Sequence, residues 1–97
     1  AERLADLVRQ IAEPDDPVVV CGDFNVEPGS QTFEILGRIG LVDLVTARGF
    51  GSTRTSHYAK AGKFADYMLV NSRVEVADFT VVTEPEVSDH CPLVLTL

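Results

Sequence analysis

No run of apolar residues in this 97-residue chain approaches the length needed to cross a bilayer, so a transmembrane helix is excluded. No basic segment is followed by an apolar stretch, so no secretory signal is visible. Cysteine is scarce. Cys21 and Cys91 are the two present, far apart and without a CxxC pair. A disulfide-stapled secreted module and a cysteine-based zinc site are both disfavoured on that ground. The expectation is two reduced, largely buried thiols in a cytoplasmic protein. Positive charge is short as well, with 8 Lys and Arg against 15 Asp and Glu, a net charge of −7. Broad binding to nucleic acid, which rests on Lys and Arg displacing counterions, is disfavoured. Internal repeats, linkers and low-complexity tracts are also lacking.

What remains is an ordinary globular balance of 45% hydrophobic and 24% charged residues, enough apolar surface to offset chain entropy. The length suits a single domain over residues 1–97. The chain begins at Ala1 inside a helical pattern, which reads as a trimmed piece with an upstream portion missing. Acidic residues avoid one segment. Between Ala47 and Lys63 there is no Asp or Glu, whereas Arg48, Arg54, Lys60 and Lys63 occur there with His57. Half of the 8 basic residues lie in it, so it is either a solvated loop or one that meets an anion.

Hydrophobic spacing gives the elements. Leu4, Leu7, Val8 and Ile11 recur as in an amphipathic helix lying on something apolar, and the turn at Pro14-Asp15-Asp16-Pro17 ends it. Val18 to Cys21 is a short β-branched run without alternation, read as a strand covered on both faces. Ser30 is an N-cap for a second helix carrying Phe33, Leu36 and Ile39, and Gly40 stops it. Leu41 to Val45 fits no single element. Ala47 to Lys63 is a long loop of the sort that often carries function. Strands are expected over 64–70, over 74–82 with Asp78 as a bulge or edge position, and over 93–97. The order predicts an α/β fold of the α+β type, one mixed sheet with helices on one face. In Phe64 to Val70 both faces are apolar apart from Asp66. That pattern calls for a second layer over the sheet, from a missing half, another subunit or a partner.

Three sites carry chemistry. Gly22-Asp23-Phe24-Asn25 follows the first strand, with Pro28 three residues on. Asp23 and Asn25 are two apart and in extended geometry point the same way. A carboxylate and an amide there hold and activate a water beside a phosphate, or merely form a turn. Asp66 is a carboxylate among Phe, Ala, Tyr, Met and Leu, expensive to bury unless paired, unless it sits at an edge facing water. Ser88-Asp89-His90-Cys91-Pro92 precedes the last strand. An imidazole held there beside a carboxylate suits proton transfer or phosphate contact, and Asp66 is the residue to fix its tautomer.

Taken in order, GDFN with its proline, Asp-Tyr in an apolar strand and SDHxP before a closing strand resemble the endonuclease/exonuclease/phosphatase superfamily. The resemblance runs from Leu4 onward and covers what looks like the C-terminal half of such a domain, one half of a four-layer αββα sandwich. It implies a metal-dependent phosphoesterase. By the resemblance, Asp23 orients and deprotonates the attacking water, and Asn25 holds that water or the phosphate oxygens. Asp66 supports the histidine, and His90 contacts the scissile phosphate. Asp89, and with it Asp23, sits at or near a Mg²⁺ or Mn²⁺ ion. An early Asn and a metal-binding Glu of such relatives have no counterpart here, so the isolated chain is expected to bind metal weakly. It is also expected to meet its missing half or pair with itself through the open sheet face. Phe64-Ala65 stands where relatives carry a basic residue and an Ile. The substrate is a phosphate ester, nucleic acid or small. The competing expectations are a catalytically incomplete structural or dimerisation module, and a nucleic-acid binder using only the basic loop.

Overall fold

The computed structural model describes residues 2–13, 15–24, 26, 29–54, 64–84, 86 and 88–97. Helix α1 spans Glu2–Ile11 and helix α2 spans Gln31–Gly37, with strand β1, Val19–Asp23, between them. Strand β2, Val42–Asp43, leads directly into the short helix α3, Leu44–Ala47. Strands β3, Asp66–Val70, β4, Asp78–Val81, and β5, Leu93–Thr96, follow. No described helix is long and apolar enough to cross a membrane.

The unassigned stretch 41–45 turns out to change element in mid-run. Asp43 ends β2 and caps α3, its carboxylate accepting from the N–H of Val45 at 2.9 Å and of Thr46 at 3.3 Å. Ser30 stands at the N-cap of α2 with extended dihedrals but without a side-chain capping bond. Gly40 stops that stretch at φ 85°, a left-handed conformation that glycine adopts without strain. The expected strand over 74–82 shortens to β4, because Val74 closes a turn onto the Asn71 carbonyl. Asp78 is no bulge: it pairs in register with Thr96.

The α+β class stands. Among the described residues the strands form two antiparallel sheets rather than one mixed sheet: a three-stranded sheet ordered β1-β3-β2, and the pair β4-β5. Directly opposed residues of an antiparallel pair share a face. Tyr67 and Leu69, opposite Gly22 and Val20, therefore face one way, and both are fully buried. Phe33 of α2 packs on Tyr67 with ring centroids 4.4 Å apart, so α2 covers this side, and α1 packs on α2 through the buried Ala5. Val19, Cys21 and Asp23, with Val70, Met68 and Asp66 opposite them, face the other way, joined by Val42 from β2. Val19 and Val42 are 44% and 52% exposed.

Two expectations are corrected by that face. The run at 18–21 is a strand covered on one side, because β1 is an edge strand with helices over one face alone. Cys21 is exposed for the same reason, while Cys91 is buried as expected. The apolar stripe of α1 is likewise only partly used: Leu4 packs against the core, and Leu7 and Ile11 remain open to solvent.

Candidate active site

β1 ends at Asp23 and β3 begins at Asp66, and the two are cross-strand partners. The ladder runs on past them through Phe24 N–H to the Ala65 carbonyl at 2.8 Å. Both carboxylates therefore sit at one end of the sheet and on its open face. Gly22, at φ 154°, sets the chain direction before Asp23 in a region that other residues adopt only with strain. Two like charges directly opposite each other are unfavourable. Something cationic has to stand between them.

His90 supplies the first answer. Its Nδ1–H donates to Asp66 Oδ2 at 2.5 Å, with the Asp66 side chain 19% exposed. The half-buried carboxylate is paired, as its apolar surroundings require. That hydrogen bond, reinforced by the charges of Asp66 and Asp89, raises the imidazole above its ordinary value; burial and the Arg54 cation pull the other way. Asp23, Asp66 and His90 each offer a ligand atom, and these lie within 4.8 Å of one another. His90 Nδ1 is committed to Asp66, which leaves its Nε2 and the carboxylate oxygens as the open donors. A pair of opposed carboxylates offering hard oxygens fits Mg²⁺ or Mn²⁺.

Asp89 takes a different place from Asp23. It stands on the far side of the ring, with Oδ1 3.7 Å from His90 Nε2 and Oδ2 4.0 Å from Arg54 Nη1. Asn25 and Pro28 of the first motif lie outside the described residues, as do His57, Lys60 and Lys63 of the basic segment.

Two residues that the sequence reading left without a role hold the site together. Thr53 is fully buried. Its Oγ1 accepts from Ala65 N–H at 2.9 Å and Asp66 N–H at 3.3 Å, and its carbonyl accepts from Cys91 N–H at 2.8 Å. One threonine thus fixes Asp66 relative to the neighbour of His90. Tyr67, next to Asp66 but on the covered face, donates its hydroxyl to the Val26 carbonyl at 2.6 Å and so anchors the loop that carries the GDFN motif. A threonine in a Gly/Ser/Thr-rich stretch gives no signal in the sequence, whereas the Tyr of Asp-Tyr was visible without its partner.

Fold and site define an α+β domain with a carboxylate–imidazole centre at one sheet end, on the face where Val19 and Val42 are exposed. A family model for the endonuclease/exonuclease/phosphatase family matches residues 1–90. The chain belongs to that family, and so to a superfamily of phosphoesterases and nucleases. No curated protein and no solved structure matches it.

Proposed function

We propose that this chain carries the phosphate-handling part of a phosphoesterase site that works with Mg²⁺ or Mn²⁺, hydrolysing a phosphodiester or phosphomonoester. The observation that carries the reading is the convergence of Asp23, Asp66 and His90 within 4.8 Å at the sheet end. Asp23, exposed at the rim, takes the proton from an attacking water. Asn25 orients that water or the phosphate oxygens. Asp66 holds His90 with its Nδ1 proton inward, which leaves Nε2 as the atom presented to a phosphate. The raised basicity of the ring favours a proton on Nε2 as negative charge builds on the phosphoryl oxygens. Asp23 and Asp66 would hold the metal, whereas Asp89, expected at or near it, lies on the far side of His90 by Nε2 and Arg54. A bound divalent ion neutralises phosphate charge and polarises the P–O bond.

The open face around Val19, Cys21, Met68 and Val42 is where the complementary half of a two-sheet sandwich would pack, and residues 1–97 would form the C-terminal half of that domain. Two free thiols suit a cytoplasmic setting. The test is release of nitrophenol from bis-p-nitrophenyl phosphate with Mn²⁺, compared between the chain and His90→Ala. Turnover lost in the variant supports the reading. Equal background rates in both would favour the other interpretation, an interaction module whose motif residues serve as structural hydrogen bonds. A self-paired species in gel filtration would make a second copy the occupant of the open face.

A further inference from the structure

Among its described residues, the basic segment brings the Arg54 side chain to His90. Arg54 and His90 are partners in an isolated antiparallel bridge, so their side chains emerge side by side. Each is clipped in the same manner by a serine two residues earlier. Ser52 Oγ accepts from Arg54 N–H at 3.0 Å and donates to the Arg54 carbonyl at 3.2 Å. Ser88 Oγ accepts from His90 N–H and donates to the His90 carbonyl, both at 3.1 Å. The backbone of both residues is thereby fixed before any ligand arrives. Arg54 Nη1 ends 3.4 Å from His90 Nε2, the ring atom turned away from Asp66. The Arg54 side chain is only 8% exposed, so this is no solvated loop cation. Asp89 approaches the pair at 3.7 and 4.0 Å. Those long contacts offset part of the positive charge of the pair.

Resting on the phosphoesterase reading, we propose that Arg54 is a substrate-binding residue, the second arm of a two-point clamp in which Arg54 and His90 take neighbouring oxygens of one phosphoryl group. A planar guanidinium suits that role, because it offers parallel N–H donors to phosphate at fixed geometry. The ligand class is a tetrahedral phosphoryl anion. The clamp adds to the affinity of the site whether or not a metal is bound.

The test uses the 97-residue chain and inorganic phosphate, followed by the ¹H–¹⁵N NMR signals of the His90 ring and the Arg54 side chain, without metal and with Mg²⁺. Phosphate is expected to shift both sets of signals together. Arg54→Gln should weaken phosphate binding at least about tenfold, the scale of one charge-assisted hydrogen bond, and Arg54→Lys should recover part of that loss. An Arg54→Gln variant that binds phosphate as the parent does, while His90→Gln binds poorly, overturns the clamp and leaves the phosphoesterase reading standing. Absence of any phosphate-dependent shift at His90 or Arg54 in the parent chain, under both conditions, overturns the two together. If Arg54→Gln is unfolded by circular dichroism, Arg54→Lys decides, and full parental affinity in it sinks the two-oxygen grip.

Discussion

The two faces of the three-stranded sheet are built from similar residues and meet different fates. Tyr67 and Leu69 lie under α2 at 0% and 1% exposure, whereas Val42 and Val19 on the other side keep about half their surface in water. The difference does not come from hydrophobicity, since valine is as apolar as leucine for this purpose. It comes from what the rest of the chain provides. On one side α2 packs over Tyr67; on the other, Val70 is buried while Val19 and Val42 stay exposed and the candidate site lies at the sheet end. Stability and chemistry are thus separated across a single layer of backbone. Side chains that face α2 hold the fold, and side chains one position along lie on the face of the candidate site.

The largest expected effect tests that separation directly. Leu69→Ala should lower stability by about 2–5 kcal/mol, the usual cost of a large-to-small change in a closed core. Val42→Ala, two strands' width from the edge β1 but on the open side, should cost about 0.5 kcal/mol or less. Urea unfolding followed by circular dichroism gives both numbers. Similar losses for the two would mean that the open face is covered in solution, and sedimentation of Val42→Asp against the parent chain would then show whether a second copy covers it.

The sequence revealed these residues unevenly. Asp23, Asp66 and His90 were legible because each is a polar group set against an apolar strand or at its end, where burial demands a reason. Their mutual placement was not written in any one segment. Thr53 was missed, and Arg54 was visible only as one of four basic residues in 47–63, because which of them lands beside His90 depends on the register between 52–54 and 90–91, and Arg54 and His90 are 36 positions apart in the chain. Local composition says nothing about which loop residue lands opposite which. The reading of Val18 to Cys21 as doubly covered failed for a more instructive reason. An apolar strand records which faces need cover, not whether residues 1–97 supply it. The same logic, applied to Phe64–Val70, called for a second layer, while the structure buries Val70 and leaves Val19 and Val42 exposed on that face.

A smaller effect sharpens the comparison at the boundary between the faces. The His90 ring is held above its ordinary value chiefly by the bond to Asp66. A group whose folded value is raised contributes stability that is complete below the unfolded imidazole value, near 6.5, and is lost as pH rises through the folded value. The stability of the parent chain should therefore decline over the window that begins near neutrality and ends above the raised midpoint. The ring C–H resonances of His90 should titrate at higher pH in the folded chain than in the unfolded one. Asp66→Asn should bring the His90 midpoint down and flatten that part of the stability curve. Thr53→Val should move the same midpoint in the same direction, because it frees the backbone of Asp66 from its tether at Oγ1. It should also cost about 1–3 kcal/mol for the buried N–H groups left unpaired. An unmoved midpoint in Thr53→Val would show that the threonine holds the fold without positioning the carboxylate.

The smallest effect changes no stability and reads exposure alone. Cys21 sits in the middle of the open face, opposite Met68, and is exposed. Cys91 adjoins His90 but is buried, and burial, with the nearby charges of Glu86 and Asp66, pushes its thiol up. Thiolate is the reacting form, so Cys91 is protected both by lack of access and by its low ionised fraction. In native buffer a maleimide or disulfide reagent should modify one thiol promptly and the second only when denaturant opens the fold, with Cys21→Ser abolishing the prompt phase. The rate of that prompt phase measures the cover on the open face more directly than any stability change, since the reagent must reach the sulfur between Val19 and Asp23. If the prompt phase slows as chain concentration rises, the face is closing on a second copy. If it stays constant, the sheet presents the site and its apolar surround to water together, and a second copy is not what covers Cys21.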